Sequence, residues 1–498
     1  MSDGAARKAA TATSLREQAA SGVRWTSVTT FTTVVLGVVQ MAILTRLLDH
    51  ADFGLMTMVT AVVGFANIWA DLGFSNAIVY RQDATGDQLS TLYWFNLVAG
   101  VVVLLLALAV APLVVAYYDE PRVQGPYLWA CLSFVIIPVG QQFQMLLQKN
   151  LRFRRLGGIE IVAAIVGLGV SVGSALAGAG VYALVWGQLA NLACRASLLA
   201  ATGWRRWRPR FHVARDDLRG FVRFGLYQMG ERSVYYFTAN IDYLLIGRYL
   251  GADKLGVYTI AYTLVVQPLL RIRTVLTRVA FPIFARRQHD DSALRRGFCE
   301  LIELVGVATF PLYLGLAALA PLAVPVIFGS QWGAAAVLVQ AMVVMGMCKS
   351  LSNPASSVFL SKGRADVGFW ENVAAAVVTF VTLRSLVGHG TLAVAWGQSA
   401  VNLVFFVVEF YLLRYVIGLG WVAYLKRLGR PLATSLAMGA VVWATYAGLR
   451  GSFTHGTPLL LILVAEGVLV YALLWTAIDR SYVGRTWRLM LGRPEVSP

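Results

Sequence analysis

Charged side chains inside otherwise apolar stretches are the residues of this 498-residue sequence that could do chemistry. Arg24, Arg232, Arg271 and Arg273 each lie within or beside long hydrophobic runs. A charge in such a run is costly in lipid unless it faces a cavity or a partner. Because the arginine fork binds two phosphate oxygens at once, four arginines near one cavity would suit a diphosphate.

Polar residues also recur at helical spacing on these apolar runs. Two runs carry polar residues at i, i+4, i+7 and i+11: Thr60, Gly64, Asn67 and Asp71 in the first, and Glu231, Tyr235, Thr238 and Asp242 in the second. A third run carries a polar stripe of Thr263, Gln267, Arg271, Thr274 and Arg278. Residues at this spacing share one face of a helix. The pattern predicts a solvated interior, although polar stripes also hold membrane helices together.

The acidic members of these faces have two open interpretations. Asp71 and Asp242 either face a cavity or are buried partners of an arginine. Glu231 either carries a proton-linked or sodium-linked charge change or belongs to a structural ion pair. Its neighbour Arg232 is not an obvious partner, since adjacent residues of a helix do not face each other.

The composition excludes an ordinary soluble protein. The chain is 58% hydrophobic and 13% charged, whereas soluble proteins carry about 25% charged residues. The apolar runs are continuous and long enough for an all-α polytopic membrane protein with about fourteen helices. The predicted spans are 22–45, 53–76, 91–116, 126–147, 157–177, 180–202, 221–246, 255–279, 298–323, 334–359, 367–387, 391–413, 432–450 and 458–478.

The basic residues follow topology rather than nucleic-acid binding. They crowd alternate connections, whereas the intervening turns carry few, so both termini are predicted to be cytoplasmic. Residues 1–21 are polar, lack the pattern of a cleaved signal peptide and form a predicted cytoplasmic N-terminal segment. The clusters include Lys149, Arg152, Arg154 and Arg155, and Arg205, Arg206, Arg208 and Arg210.

The chain carries no recognisable cofactor or metal motif. Four cysteines, Cys131, Cys194, Cys299 and Cys348, fall inside predicted spans without metal-ligand spacing, and the five histidines are scattered. Neither a phosphate-binding loop nor a nucleophile motif is present. We therefore expect no metal, no cofactor and no enzymatic activity, and we expect any active transport to use a gradient.

Two motifs occur twice, about 200 residues apart, which indicates internal duplication. Leu-Thr-Arg46 followed by Phe-Gly54 returns as Ile-Gly-Arg248 followed by Leu-Gly256, and Trp186-Gly187-Gln188 returns as Trp396-Gly397-Gln398. The repeat predicts an N-lobe over 22–220 and a C-lobe over 221–430, each of six helices. A C-terminal helix pair and basic tail follow over 431–498.

With Asn240-Ile-Asp242 just ahead of Arg248, the paired motifs resemble the polysaccharide flippases of the multidrug/oligosaccharidyl-lipid/polysaccharide exporter superfamily. Within it, the chain is similar to the colanic acid and xanthan translocases. The resemblance implies a bacterial inner-membrane protein that moves undecaprenyl-pyrophosphate-linked oligosaccharide repeat units by alternating access of two lobes. It also implies work alongside a polysaccharide polymerase and export proteins.

That cargo would fit the residue chemistry. The four arginines would neutralise the pyrophosphate, and Asn67, Gln267 and Tyr235 would contact the sugars. Two rival functions remain: a multidrug or cation exporter, which would need an acidic cavity, and a polysaccharide polymerase or ligase, which usually needs a large outward loop.

The basic clusters generate a topological prediction. A reporter fused after Arg210 should signal the cytoplasm, and one fused in the turn from Gly388 to Gly390 should signal the periplasm. Paired alkaline phosphatase and green fluorescent protein fusions measure both positions. Exchanged signals at the two sites would refute the fourteen-span arrangement.

Overall fold

A computed structural model describes the backbone of residues 2–71, 85–205, 207–214, 221–286, 290–450 and 456–478. It describes their side chains except those of 2–21, 23, 71, 221–228, 231, 271–283, 285–286, 353 and 365. The helices are α1 Ser2–Leu47, α2 His50–Asp71, α3 Gly86–Tyr118, α4 Gln124–Ala130, α5 Ser133–Lys149, α6 Phe153–Leu176, α7 Val181–Trp204, α8 Phe221–Arg286, α9 Asp291–Phe328, α10 Gly333–Ser361, α11 Ala365–Leu386, α12 Thr391–Ile417, α13 Trp421–Leu449 and α14 Gly456–Ile478.

Helices and short connections make up all of the described chain, so the predicted all-α membrane class is confirmed. Within the described residues, eleven segments are long and apolar enough to cross a membrane. A helix satisfies its own backbone hydrogen bonds, which hydrocarbon cannot do. The protein is therefore a multi-pass membrane protein.

The remaining three predicted spans lie on two further helices. The span 180–202 lies on α7, and the spans 221–246 and 255–279 both lie on α8, which has 66 residues. Gly251 interrupts α8 with φ 80° and ψ 176°, a backbone conformation open to glycine because it has no Cβ. The kink divides α8 into two stretches, each longer than the roughly 20 residues that cross a bilayer. The count of fourteen spans stays a prediction.

Several helix ends are fixed by side chains. Thr85 and Gln88 form a capping box at the start of α3, and Asp290 accepts the Ala293 N–H at 2.9 Å at the start of α9. That hydrogen bond holds the pKa of Asp290 below its usual value. Between α3 and α4, hydrogen bonds from the Arg122 side chain lower the pKa of Glu120. The contacts of Thr85 and Asp290 occupy backbone N–H groups that the helix starts leave unpaired.

The chain packs as two compact units, Met1–Gly256 and Val257–Pro498. In the first unit, aromatic and aliphatic side chains of α3, α5, α6 and α7 form a core around Tyr93 and Phe143. The lobe limits predicted from the sequence stay a prediction.

In the second unit, α9, α10, α12 and α13 share a core that includes Phe298, Phe359, Phe410 and Tyr424. The C-terminal pair, α13 and α14, packs on α9 through a separate cluster around Met438 and Leu463. The final helix pair is thus an integral part of the second unit.

The internal repeat is visible in the local backbone. The turn before α6 places Leu151 at φ 53°, and the turn before α11 places Gly363 at φ 69°. The next residues, Arg152 and Arg364, each donate the backbone N–H to a carbonyl five residues earlier, at 2.9 Å in both turns. Two distant segments therefore end a helix and begin the next by the same hydrogen-bond pattern.

Candidate functional site

The repeated glycines lie at a close helix contact inside the first unit. A Cβ at Gly54 would overlap the backbone carbonyl of Ala252, and a Cβ at Gly256 would overlap the carbonyl of His50. His50 and Ala252 each lie four residues before the repeated glycine of their own motif. The two copies of the motif therefore contact each other reciprocally. Glycine is needed at both positions because any side chain would meet backbone, which cannot rotate away.

Several side chains around this helix contact are exposed on the surface of the protein. The His50 Nδ1 lies 3.4 Å from an oxygen of Asp253, whose side chain is 62% exposed. The repeated arginines, Arg46 and Arg248, are both exposed. Tyr117, at the end of α3, donates its hydroxyl to the Leu244 carbonyl at 3.4 Å. The motif thus combines a backbone contact with exposed basic side chains beside it.

A tyrosine covers part of the polar face predicted for α2. The Tyr236 hydroxyl donates to the Thr60 carbonyl at 2.9 Å, and its side chain lies against Gly64. Phe65 adds a ring contact at 6.3 Å between centroids. This part of the polar face joins α2 to the first stretch of α8.

The three predicted sugar contacts lie in different environments. Asn67 is half-buried, and its amide donates to the Val63 carbonyl of its own helix at 3.0 Å. Tyr235 is 54% exposed and Gln267 is exposed. Tyr235 and Gln267 therefore present accessible surface, while the Asn67 donor is at least partly used within α2.

The predicted arginines divide into two groups. Arg24 on α1 is exposed, and Arg232 on α8 is half-buried. The side chains of Arg271 and Arg273 lie outside the described residues. Their common location near one cavity stays a prediction.

Among the predicted acidic residues, Asp242 is fully buried. Its Oδ1 accepts the backbone N–H of Tyr243 at 2.9 Å. The side chains of Asp71 and Glu231 lie outside the described residues. Both roles considered for these carboxylates, coupling and ion pairing, remain open to test.

Two ion pairs between helices were not predicted from the sequence. Glu160 on α6 lies 3.1 Å from Arg195 on α7, and Glu303 on α9 lies 2.6 Å from Arg427 on α13. Opposite charges on two consecutive spans are the signal that points to the first pair. Glu303 and Arg427 are distant in sequence, so the sequence offers no comparable signal for the second.

This arrangement defines a class, the all-helical multi-pass membrane proteins with an internal sequence repeat. The structure aligns with the lipid II flippase MurJ in its inward closed conformation at a TM-score of 0.72, over 92% of this chain and 99% of MurJ. The sequence identity is 12%, so this likeness shows the fold alone.

Sequence comparison identifies the family. The profile of the family described as "Polysaccharide biosynthesis protein" matches residues 43–337. The chain is 34% identical to the teichuronic acid biosynthesis protein TuaB of Bacillus subtilis (strain 168), over 93% of this chain and 96% of TuaB. It is 33% identical to the lipopolysaccharide biosynthesis protein WzxC of Escherichia coli (strain K12), over 88% and 89%. The chain belongs to this polysaccharide biosynthesis protein family, which confirms the resemblance seen in the motifs.

The glycine contact generates a stability prediction. Gly54→Ala or Gly256→Ala should destabilise the protein by about 1–3 kcal/mol, because the new methyl group overlaps a backbone carbonyl. Gly169→Ala on α6 is the matched control: open space surrounds its Cβ position, so a gain of about 0.5–1 kcal/mol is expected. Thermal unfolding of purified protein in detergent measures both effects. Equal melting temperatures for the three variants would contradict the contact.

Proposed function

We propose that this chain is a flippase that moves undecaprenyl-pyrophosphate-linked oligosaccharide repeat units across the bacterial inner membrane for exopolysaccharide or capsule synthesis. One combined observation carries the proposal: a chain whose sequence relatives are polysaccharide biosynthesis proteins has the fold of a lipid II flippase. Both substrates join a polyprenyl pyrophosphate to sugars. The protein is a transporter and not an enzyme, since a flippase breaks no bond of its cargo.

The proposed setting follows from the same reasoning. The chain lies in the inner membrane with both termini in the cytoplasm, as its basic connections indicate. It works by alternating access of two lobes related by the sequence repeat. Its partners are the lipid-linked glycan and, downstream, a polysaccharide polymerase and export proteins.

In this proposal, Arg24, Arg232, Arg271 and Arg273 bind the pyrophosphate, and Asn67, Gln267 and Tyr235 contact the glycan. The exposure of Arg24, Gln267 and Tyr235 supports their availability to a ligand. Asp71, Glu231 and Asp242 either couple transport to an ion or complete ion pairs. Guanidinium groups suit the pyrophosphate because each can donate two parallel hydrogen bonds to phosphate oxygens.

Deletion of the gene followed by lipid extraction tests the function. Loss of a flippase should leave single lipid-linked repeat units facing the cytoplasm and out of reach of a periplasmic glycosidase. Loss of a polymerase would instead leave single units facing the periplasm, and loss of a drug exporter would leave polymer production unchanged. A plasmid carrying the wild-type gene is the control, and either of the latter two results would refute the proposal.

Substitution of the four arginines tests the site. Arg→Ala at Arg24, Arg232, Arg271 or Arg273 should abolish polymer production while the protein still accumulates in the membrane. Arg→Lys should rescue it only in part, since lysine keeps the charge but loses the fork. Polymer is measured as hexose released from washed cells, and protein by immunoblot. Full polymer production by all four alanine variants would exclude this pyrophosphate site.

A further inference from the structure

A polar cavity, open on one side, lies in the first unit between α1, α6 and α7. Its volume is about 410 Å³, within the range of about 300–1,000 Å³ for small-molecule pockets. Its polar lining consists of Thr33, Gln40, Glu160, Asn191 and Arg195. Glu160 is about 10 Å along α6 from the first residue of that helix, so the cavity lies within the membrane-spanning length.

Small residues open this space between helices that pack tightly elsewhere. Gly37, Ala163 and Ala164 line the cavity, and no atom lies within 4 Å of the Cβ position of Gly37. Next to the cavity, a Cβ at Gly187 on α7 would overlap the Ser171 side chain on α6. The helices are therefore in close contact at one level and separated at another, which makes the cavity a local feature of their surfaces.

The polar groups of the cavity are held in place by neighbours. The Gln40 amide nitrogen donates to the Ser171 hydroxyl at 2.9 Å, and the Arg195 guanidinium donates to Glu160 at 3.1 Å. Both side chains of the ion pair keep about a third of their surface accessible, at 32% for Arg195 and 31% for Glu160. Among the described residues, the buried Nε of Arg195 has no hydrogen-bond partner. The site thus combines polar groups held by neighbours with an ion pair whose side chains keep accessible surface.

The charge of the lining selects the class of ligand. Glu160 and Arg195 neutralise each other, and the other lining residues are uncharged. A cavity without net charge does not favour a pyrophosphate or a metal cation over water. Carboxylate, guanidinium, amide and hydroxyl groups can, however, each form hydrogen bonds with hydroxyl groups, and the charged ones form the stronger bonds.

A purely structural role for the Glu160–Arg195 ion pair does not explain why a polar cavity lies beside it. An ion pair that only joins two helices gains little from an adjacent polar cavity, because apolar packing of similar volume stabilises as well or better. The polar groups of such a cavity hydrogen-bond to water or to a ligand, since a polar group away from water is costly without a partner.

We propose that the cavity between α1, α6 and α7 is a subsite for one neutral monosaccharide unit. In this subsite the Glu160–Arg195 pair and the amides of Gln40 and Asn191 hydrogen-bond the sugar hydroxyls. The assignment of that sugar to the transported glycan rests on the proposed flippase function. The cavity gives the protein a means of recognising the glycan that is separate from recognition of the pyrophosphate.

Saturation-transfer difference NMR on the purified full-length protein in detergent tests the subsite. The probes are methyl glycosides of glucose, galactose, mannose and fucose, each titrated separately. At least one should receive saturation from the wild-type protein. Asn191→Leu removes an amide, Glu160→Gln breaks the ion pair at constant size, and Ala164→Leu fills the space while keeping every polar group. Each should weaken binding about tenfold, which corresponds to about 1.4 kcal/mol.

Val166→Leu is the matched control, because Val166 lies on α6 with 38% of its surface exposed and does not line the cavity. It should bind like the wild type, and size-exclusion profiles establish that every variant is folded. The absence of binding for all four glycosides, or equal binding by the wild type and all three cavity variants, overturns the subsite.

The deletion experiment separates this inference from the proposed function. If the purified wild type binds a sugar, the cavity variants lose that binding, and deletion of the gene leaves polymer production unchanged, the subsite is retained and the flippase function is refuted. Cytoplasmic accumulation of lipid-linked units, with no sugar binding by the wild type, would retain the flippase and refute the subsite.

Discussion

Hydrocarbon offers no hydrogen bonds, and this constraint shapes the whole molecule. Each backbone N–H and C=O within the membrane must find its partner inside the protein, which the helix provides. Lipid is also as apolar as the side chains, so burial of apolar surface does little to bring helices together. Helix association then depends on close backbone approach and on polar contacts, and both are found here at identifiable residues.

The reciprocal contact of the repeated motifs is an example of close backbone approach. Gly54 meets the backbone at Ala252, and Gly256 meets it at His50. The hydrogen bond from Tyr236 to the Thr60 carbonyl is an example of a polar contact between helices. Duplication explains the first contact in physical terms, since two copies of one surface can be complementary to each other without separate optimisation.

Charge within the spans is used in distinct ways. The Glu303–Arg427 pair has its carboxylate in the core of the second unit, with a side chain that is 4% exposed. The Glu160–Arg195 pair lines a cavity and stays partly accessible. Arg24 is exposed on α1. Ionic groups in lipid are costly, so each carboxylate is held beside an arginine.

The sequence by itself determined the membrane class, the helical segments, the duplication and the family, because apolar length and repeated motifs are properties of consecutive residues. It also marked Gly54 and Gly256, but not that each contacts the other copy of the motif. Only the tertiary structure decided that Tyr236 covers part of the polar face of α2 and that Glu160 and Arg195 share a cavity. Helical periodicity gives the face on which a side chain lies, whereas its partner depends on how neighbouring helices are rotated and spaced.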